Sequence, residues 1–265
     1  MRRVSLGLVV VLAVIPAACG GGDDSVEVDP DDPVIQISSE GGFVPVEFAL
    51  GQGPRYTVLG DGTLIFPGVT TLEFPGGLVP PYLTAQLSES QLNALLAMVD
   101  DMGLADIVDE TDDSAGNFVA DASTEVIRYW DASGDHTYAV YALGIEENTS
   151  ERNAAFLELV STLDEFTAQT AGEPYQPERV RIVAGPGNEN ADFPDLRPWP
   201  LDEEWGEWQT LANGWQCRVY ESEVLATFEE ATQATTWQMP EDGFDFDPAT
   251  LLVRPLHPGE PDCPS

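Results

Sequence analysis

LSESQLNALLAMVDDMG, residues 87–103, carries the marks of one amphipathic helix and of the surface it must cover. Ser88 and Gln91 stand three apart in the order of a capping box, Leu87 and Leu92 are placed as a hydrophobic staple, and Gly103 sits where a helix ends in the left-handed region. Leu92, Leu95, Leu96 and Val99 fall on one stripe. A stripe of that kind needs an apolar partner, and the flanking sequence supplies strands rather than a second long helix.

Outward from this helix, residues 34–37 read as a strand running into Gly41-Gly42-Phe43. Residues 55–66 read as a hairpin turning at Gly60-Asp61-Gly62, where Asp-Gly supplies the positive φ of a tight turn. A second hairpin pairs residues 124–130 with 137–143 across the turn 132–135. A further helix is expected from about Glu151, with Phe156, Leu159, Val160 and Leu163 at helical spacing. Strands, helix, strands, helix in that order imply helices gathered on one face of an antiparallel sheet.

AQTAGEPYQP at 168–177 breaks the periodic sequence with glycine and prolines. The boundary is therefore set between an α+β domain at 34–170 and a smaller one at 171–265. In the smaller domain residues 179–184 alternate as a strand, and Trp215, Cys217 and Val219 share one strand face. A helix is expected at 222–232 on Val224, Leu225 and Phe228, and residues 235–238 and 251–256 return to extended structure. The expected fold class is α+β: two small domains, each an antiparallel sheet with helices packed on one face, following a disordered tether.

At the N-terminus Arg2 and Arg3 precede an apolar run at 4–15, and small residues Ala17 and Ala18 precede Cys19. About 12 apolar residues fall short of the ~20 that span a bilayer, and the layout is that of a signal peptide covering residues 1–18. Pro16-Ala17-Ala18-Cys19 resembles the lipobox of bacterial lipoproteins, which implies that Cys19 becomes the lipid-bearing first residue. Pro16 departs from the Leu, Val or Ile that the pattern prefers. The following GGGDDSVEVDPDDP has too little apolar content to offset its ordering entropy, so residues 19–33 are expected to be a flexible acidic tether. Extended, residues 20–33 reach about 45 Å at roughly 3.3 Å per residue. The lipobox resemblance implies a protein anchored by its N-terminal lipid at the extracellular face of the cytoplasmic membrane.

Forty-seven Asp and Glu face ten basic residues, all arginine, for a formal charge of −37. Phosphate backbones are bound by clustered cations, so nucleic acid is excluded as a partner, and anionic headgroups would be repelled. Carboxylates cluster at 109–121, 131–135 and 241–247, yet none of these follows the spacing that wraps calcium, and no metal or cofactor is expected. With Cys19 lipidated, Cys217 and Cys263 remain. In an oxidising exported setting they are expected to form one disulfide across 46 residues.

No HExxH, Walker A, dinucleotide or G-x-S-x-G motif occurs. The two histidines fall just past the second hairpin turn and in the proline-rich tail, so His136 is expected to be an exposed turn histidine and His257 a loop histidine. Tryptophans at 199, 205 and 208 lie among acids and prolines, either filling the seam between the two domains or forming a recognition surface for peptide or sugar. As a possible binding surface the candidates are Trp199, Trp205 and Trp208. No catalytic residue is nominated.

GGFVP at 41–45, LGDGTLI at 59–65, LSESQL at 87–92 and RPLHPGEPDC at 254–263 together resemble a group of uncharacterised lipoproteins of high-GC Gram-positive bacteria. The first region alone, through its GGF segment and LS-initiated helix, is similar to emfourin-type inhibitors of thermolysin-like metallopeptidases. The expectation is a non-catalytic, surface-anchored lipoprotein that binds or organises an unknown protein or glycan partner of the cell envelope. The alternative is an inhibitor or accessory protein of a secreted metallopeptidase.

Overall fold

Residues 29–70, 73–117, 119–145, 150–187, 195–201, 207–241 and 243–264 are described by the computed structural model. The expected signal peptide at 1–18, Cys19 and the tether up to residue 28 lie outside them. In chain order the first region contains β1 (Pro33–Gly41), the short helix α1 (Val46–Gly51), β2 (Tyr56–Leu59), β3 (Thr63–Pro67) and β4 (Tyr82–Gln86). It continues with α2 (Glu89–Asp101), β5 (Asp109–Asp112), β6 (Ser123–Asp131), β7 (Gly134–Tyr141), α3 (Glu151–Gln169) and β8 (Glu173–Pro174). The second region holds β9 (Arg179–Pro186), β10 (Asp195–Pro198), β11 (Gln209–Thr210), β12 (Gln216–Glu221), β13 (Thr235–Gln238) and β14 (Ala249–Pro255).

The expected α+β class is what forms: an eight-stranded sheet ordered β5-β7-β6-β1-β2-β3-β4-β8 and a six-stranded sheet ordered β10-β13-β14-β9-β12-β11. Local chemistry starts α2 as the sequence indicates. Ser88 Oγ accepts from the Gln91 amide at 3.3 Å, and Gln91 Oε1 accepts from the Ser88 amide at 2.9 Å. Gly103 follows with φ +66°. Ser150 caps α3 in the same way, accepting from the Asn153 amide at 3.1 Å. Leu95 and Val99 of α2 and Phe156, Leu159 and Leu163 of α3 then bury against Ile35, Ile37, Val58, Leu64, Phe66, Ile127 and Val140. At roughly 1.5–3 kcal/mol per large side chain, that interface is the main source of stability in the first region.

The second sheet uses both faces. Val180, Ile182, Ala184, Ala249, Leu251, Val253 and Trp237 face Phe228, Trp208 and Met239 on one side. Val183 and Cys217 face Leu211 and Trp215 on the other, with Leu50 of α1, Leu252 and Cys263 beside them. Cys217 and Cys263 are joined as a disulfide, with their Cα atoms 6.0 Å apart. Closing a loop of that length restricts the unfolded chain by about 4 kcal/mol in the chain-entropy model.

Several expectations are refined. The sheets are antiparallel except at one pair each, β5 with β7 and β10 with β13. Both added strands join at an open edge without a hairpin to their neighbour, so no tight turn dictates their direction. In place of an α-helix at 222–232 the chain makes a 3-10 turn over Ser222–Phe228, whose N-terminus has no side-chain cap. So short an uncapped segment cannot repay helix nucleation and tightens instead. The last tether residues are already part of the body, because Pro30 and Asp32 carbonyls accept from the amides of Asp61 and Gly60 at the first hairpin turn.

The regions also interlock beyond the boundary at 170/171. Glu173 and Pro174 pair with β4 as the edge of the first sheet. Leu78, in the β3–β4 loop, enters the second core, its amide donating to the Ala231 carbonyl at 3.1 Å. In return the chain after β14 crosses the face of the first sheet that α2 and α3 leave uncovered.

Candidate functional site

That return crossing builds the most unusual chemistry among the described residues. On β1 the residues between Ile35 and Ile37 and beyond face away from the helices, so Gln36 points to the opposite side and pairs in register with Arg128 of β6 and Thr57 of β2. On the second sheet Arg181 of β9 and Arg254 of β14 are direct cross-strand partners on the face away from Trp237. A strand pair places these like charges side by side only if something lies over them.

The C-terminal tail does so. Glu260 accepts two hydrogen bonds from Arg254, Nη1 to Oε2 at 2.9 Å and Nη2 to Oε1 at 2.8 Å, and Oε2 also accepts from the His257 amide at 2.8 Å. The two charged side chains are almost fully buried, at 3% and 7% exposed. Burial alone would raise the Glu260 carboxyl, but the Arg254 guanidinium and the amide hold it below its usual range. Arg181 donates Nε to the Asp262 carbonyl at 2.8 Å and Nη2 to the Pro261 carbonyl. Burial, with Arg254 beside it, pulls Arg181 down to about 10.

His257 lies beneath, 1% exposed, its Nδ1 sharing a hydrogen bond with Thr57 Oγ1 at 2.9 Å and its ring edge-on to Tyr82 and Tyr175. Burial lowers it to about 4, so it is neutral across the physiological range. Gln36 ties the same spot, donating Nε2 to Thr57 Oγ1 at 3.2 Å and to the Pro258 carbonyl at 3.3 Å. One glycine is required here by close approach: Gly259 has φ +79°, and a Cβ on it would meet Pro33 at 2.7 Å, while one on Gly53 would crowd the Tyr82 hydroxyl and the Arg254 guanidinium.

Beside this tail a cleft of about 370 Å³ opens between the two sheets, lined by Gln36, Ser38, Arg128, Arg181, Arg254 and Glu260 and walled by α1 and the tail prolines. On the other side of α1 the chain forms an apolar ridge. Phe43 is 88% exposed and Phe48 53%, with Val44 and Val46 between them also exposed. Phe48 borders a depression of about 470 Å³ shared with Leu78, Pro80 and Leu252.

The residues nominated from sequence are distributed differently. Cys217 and Cys263 meet as expected; Cys19 and Trp205 lie outside the described residues. Trp199 is half-buried. Trp208 is buried in the second core, with Trp199 against it at 6.1 Å between ring centroids and Phe244 at 5.3 Å, because these large rings fill the space under β9 and β14. Both histidines are buried, which corrects the expectation of an exposed His136: it is held by the Ile107 carbonyl on Nδ1 and by Asp131 Oδ1 on Nε2 at 3.1 Å.

Ser133 approaches the same His136 Nε2 at 3.1 Å, so serine, histidine and aspartate come together in one hairpin. The arrangement is unsuited to nucleophilic catalysis. A triad needs the carboxylate on one ring nitrogen and the hydroxyl on the other. Here the main-chain carbonyl occupies Nδ1 while Asp131 and Ser133 share Nε2, and Ser133 Oγ donates to Asp131 at 2.6 Å. These contacts, led by the Ile107 carbonyl, raise the His136 pKa and favour a charged, structural imidazolium.

No known protein family matches the chain, and no curated protein or solved structure is significantly similar to it. Among the described residues no group of three or more His, Cys, Asp or Glu side chains could hold a metal ion, and no helix is long and apolar enough to cross a membrane. The seam residues Arg128, Arg181, Arg254 and Glu260 were not singled out from sequence. Their signal is slight: arginines at alternate positions inside strands that are otherwise apolar, in RVRIVAG and LLVRP.

Proposed function

We propose that this protein is a non-catalytic, lipid-anchored binding protein of the cell envelope, held by Cys19 at the extracellular face of the cytoplasmic membrane and engaging a protein or glycan partner. The observation that supports it is the apolar ridge at Phe43, Val44, Val46 and Phe48 with the depression beside Phe48. A run of large exposed apolar side chains is out of place on so acidic a surface unless another molecule covers it. The ridge follows the far end of β1, whose nine residues put it about 30 Å from the point where the tether joins the body. It therefore faces away from the anchored end.

Crosslinking in intact cells tests this reading. The wild-type protein is expected in the membrane fraction with a captured partner, the Phe43→Ser/Phe48→Ser variant in the same fraction without it, and Cys19→Ser in the soluble fraction. Capture that is indifferent to both phenylalanines would overturn the binding surface, and a Cys19→Ser protein that stays with the membrane would overturn the anchor.

A second reading, an inhibitor or accessory protein of a secreted metallopeptidase, draws on the same ridge, since the Gly41-Gly42-Phe43 segment is exposed and so accessible to a cleft. Thermolysin activity in the presence of micromolar protein decides it; undiminished activity removes this reading and leaves the first intact.

A further inference from the structure

We propose that the cleft between the two sheets is a binding site for a small organic carboxylate, seated on Arg128. The case begins with the distribution of cations in an acidic chain. Arg55, Arg152, Arg179, Arg197, Arg218 and Arg254 each pair with a carboxylate, and Arg181 is held by two carbonyls of the tail. Among the described arginines, the Arg128 side chain alone has neither a hydrogen bond nor an ion pair. With forty-seven acidic residues available, a half-buried guanidinium left open is unusual, and it opens into a cavity.

Charge within the cleft points the same way. Of its carboxylates, Glu260 is consumed by Arg254 and Glu40 sits exposed at the rim, bonded to Ser38 at 3.3 Å. Arg128 and Arg181 thus leave a positive interior in a strongly negative body, and low-dielectric walls focus such a field. With Glu40 counted, the lining carries one net positive charge, which a single carboxylate balances, and the guanidinium fork matches it in geometry.

The walls define the rest of the ligand. Gln36, Ser38 and Gln52 offer hydrogen bonds, while Ala49, Pro54, Pro261 and Pro264 are apolar. About 370 Å³ is at the small end of ligand sites and excludes a polymer, and the net charge of −37 repels polyanions at a distance. A small acid with a short apolar body uses both parts of the lining. Inorganic phosphate leaves the apolar wall unused.

Isothermal titration of the purified protein with benzoate and with N-acetylalanine, against sodium chloride at matched ionic strength and against inorganic phosphate, tests the assignment. Saturable binding of at least one carboxylate is expected, above any response to chloride and tighter than phosphate. Arg128→Gln is expected to weaken it about tenfold or more, the effect of removing one charge-assisted contact. Its own Tm should stay within about 2 °C of the wild type, because this side chain has no partner to lose. Arg152→Gln, remote from the cleft, should bind as the wild type does. Absence of saturable binding, equal affinity in Arg128→Gln, or preference for phosphate each overturns the proposal. Partner capture through Phe43 and Phe48 is read in another assay, so either result can fail while the other stands.

Discussion

The two sheets solve the same problem, covering an apolar surface, with different materials. The eight-stranded sheet is covered by α2 and α3, which are close in sequence to the strands they protect, and its chief internal polar contact is the compact set Tyr138 to Asn153 to Asp112 at 2.6 and 2.8 Å. The six-stranded sheet puts two arginines on the face that meets its neighbour and relies on the last residues of the chain to hold them, Arg254 by the Glu260 carboxylate and Arg181 by two tail carbonyls. Local cover makes the first region largely self-sufficient. The second depends on the docking of a C-terminal tail, which ties its stability to a few charged and covalent contacts.

The sharpest way to break that comparison is Glu260→Leu. A buried charge stripped of its partner costs about 3–5 kcal/mol, and Arg254 would keep its charge with no carboxylate in reach. The second sheet is expected to unfold first, giving a two-step denaturation in place of one. Combining the change with Arg254→Met should recover most of the loss, since an apolar pair removes the stranded charge along with the bridge. A single transition with an unmoved midpoint in Glu260→Leu would show that the tail is not what holds the second region.

Acid should separate the regions next. His257 titrates at about 4 in the folded protein against 6.5 when free, so its contribution is complete above pH 6.5 and is lost as pH falls from there through 4, by about 3 kcal/mol. Glu260, also held below its ordinary range, adds to the loss at the lower end. His136 has the opposite sign: its raised pKa makes its contribution complete below 6.5 and lost as pH rises through the folded value. Protection against amide exchange, taken relative to the intrinsic rate at each pH, should therefore fall in β9 and β14 before β6 and β7 between pH 7 and 4.5. Equal loss of protection in both sheets would remove the distinction.

How far the sequence reveals all this follows the same division. Helices α2 and α3, both hairpins and the strands expected at 179–184 and 235–238 were legible because caps, turn residues and periodicity act over a few neighbours; α1 was not. β4, β5, β8 and β10 were not legible. Each is two to five residues long; β5, β8 and β10 become strands at sheet edges and β4 between β3 and β8, positions that only the whole sheet fixes. The disulfide was legible by counting cysteines in a plausible compartment. The seam was not: nothing local in RPLHPGEPDC tells Glu260 that Arg254 will curl back to it, or His257 that Thr57 waits two hundred residues earlier. Long-range polar contacts leave no period in the sequence, and the tryptophans drew notice mainly by their size.

The smallest expected effect tests the self-sufficient half. Ser88→Ala removes the oxygen that accepts from the Gln91 amide and frees Gln91 from its reciprocal bond, so one end of α2 loses its cap at a cost of about 1 kcal/mol. Because α2 packs on the first sheet and α3 and takes no part in the second core, the loss should appear in the amides of α2, α3 and β1 and leave β9 and β14 unchanged. Ser88→Asp, which can accept the same bond and suits the positive helix end, should restore the midpoint. If β9 and β14 loosen as well, the Leu78 loop and the tail couple the two sheets into one cooperative unit, and self-sufficiency of the first region is then an appearance created by its local cover.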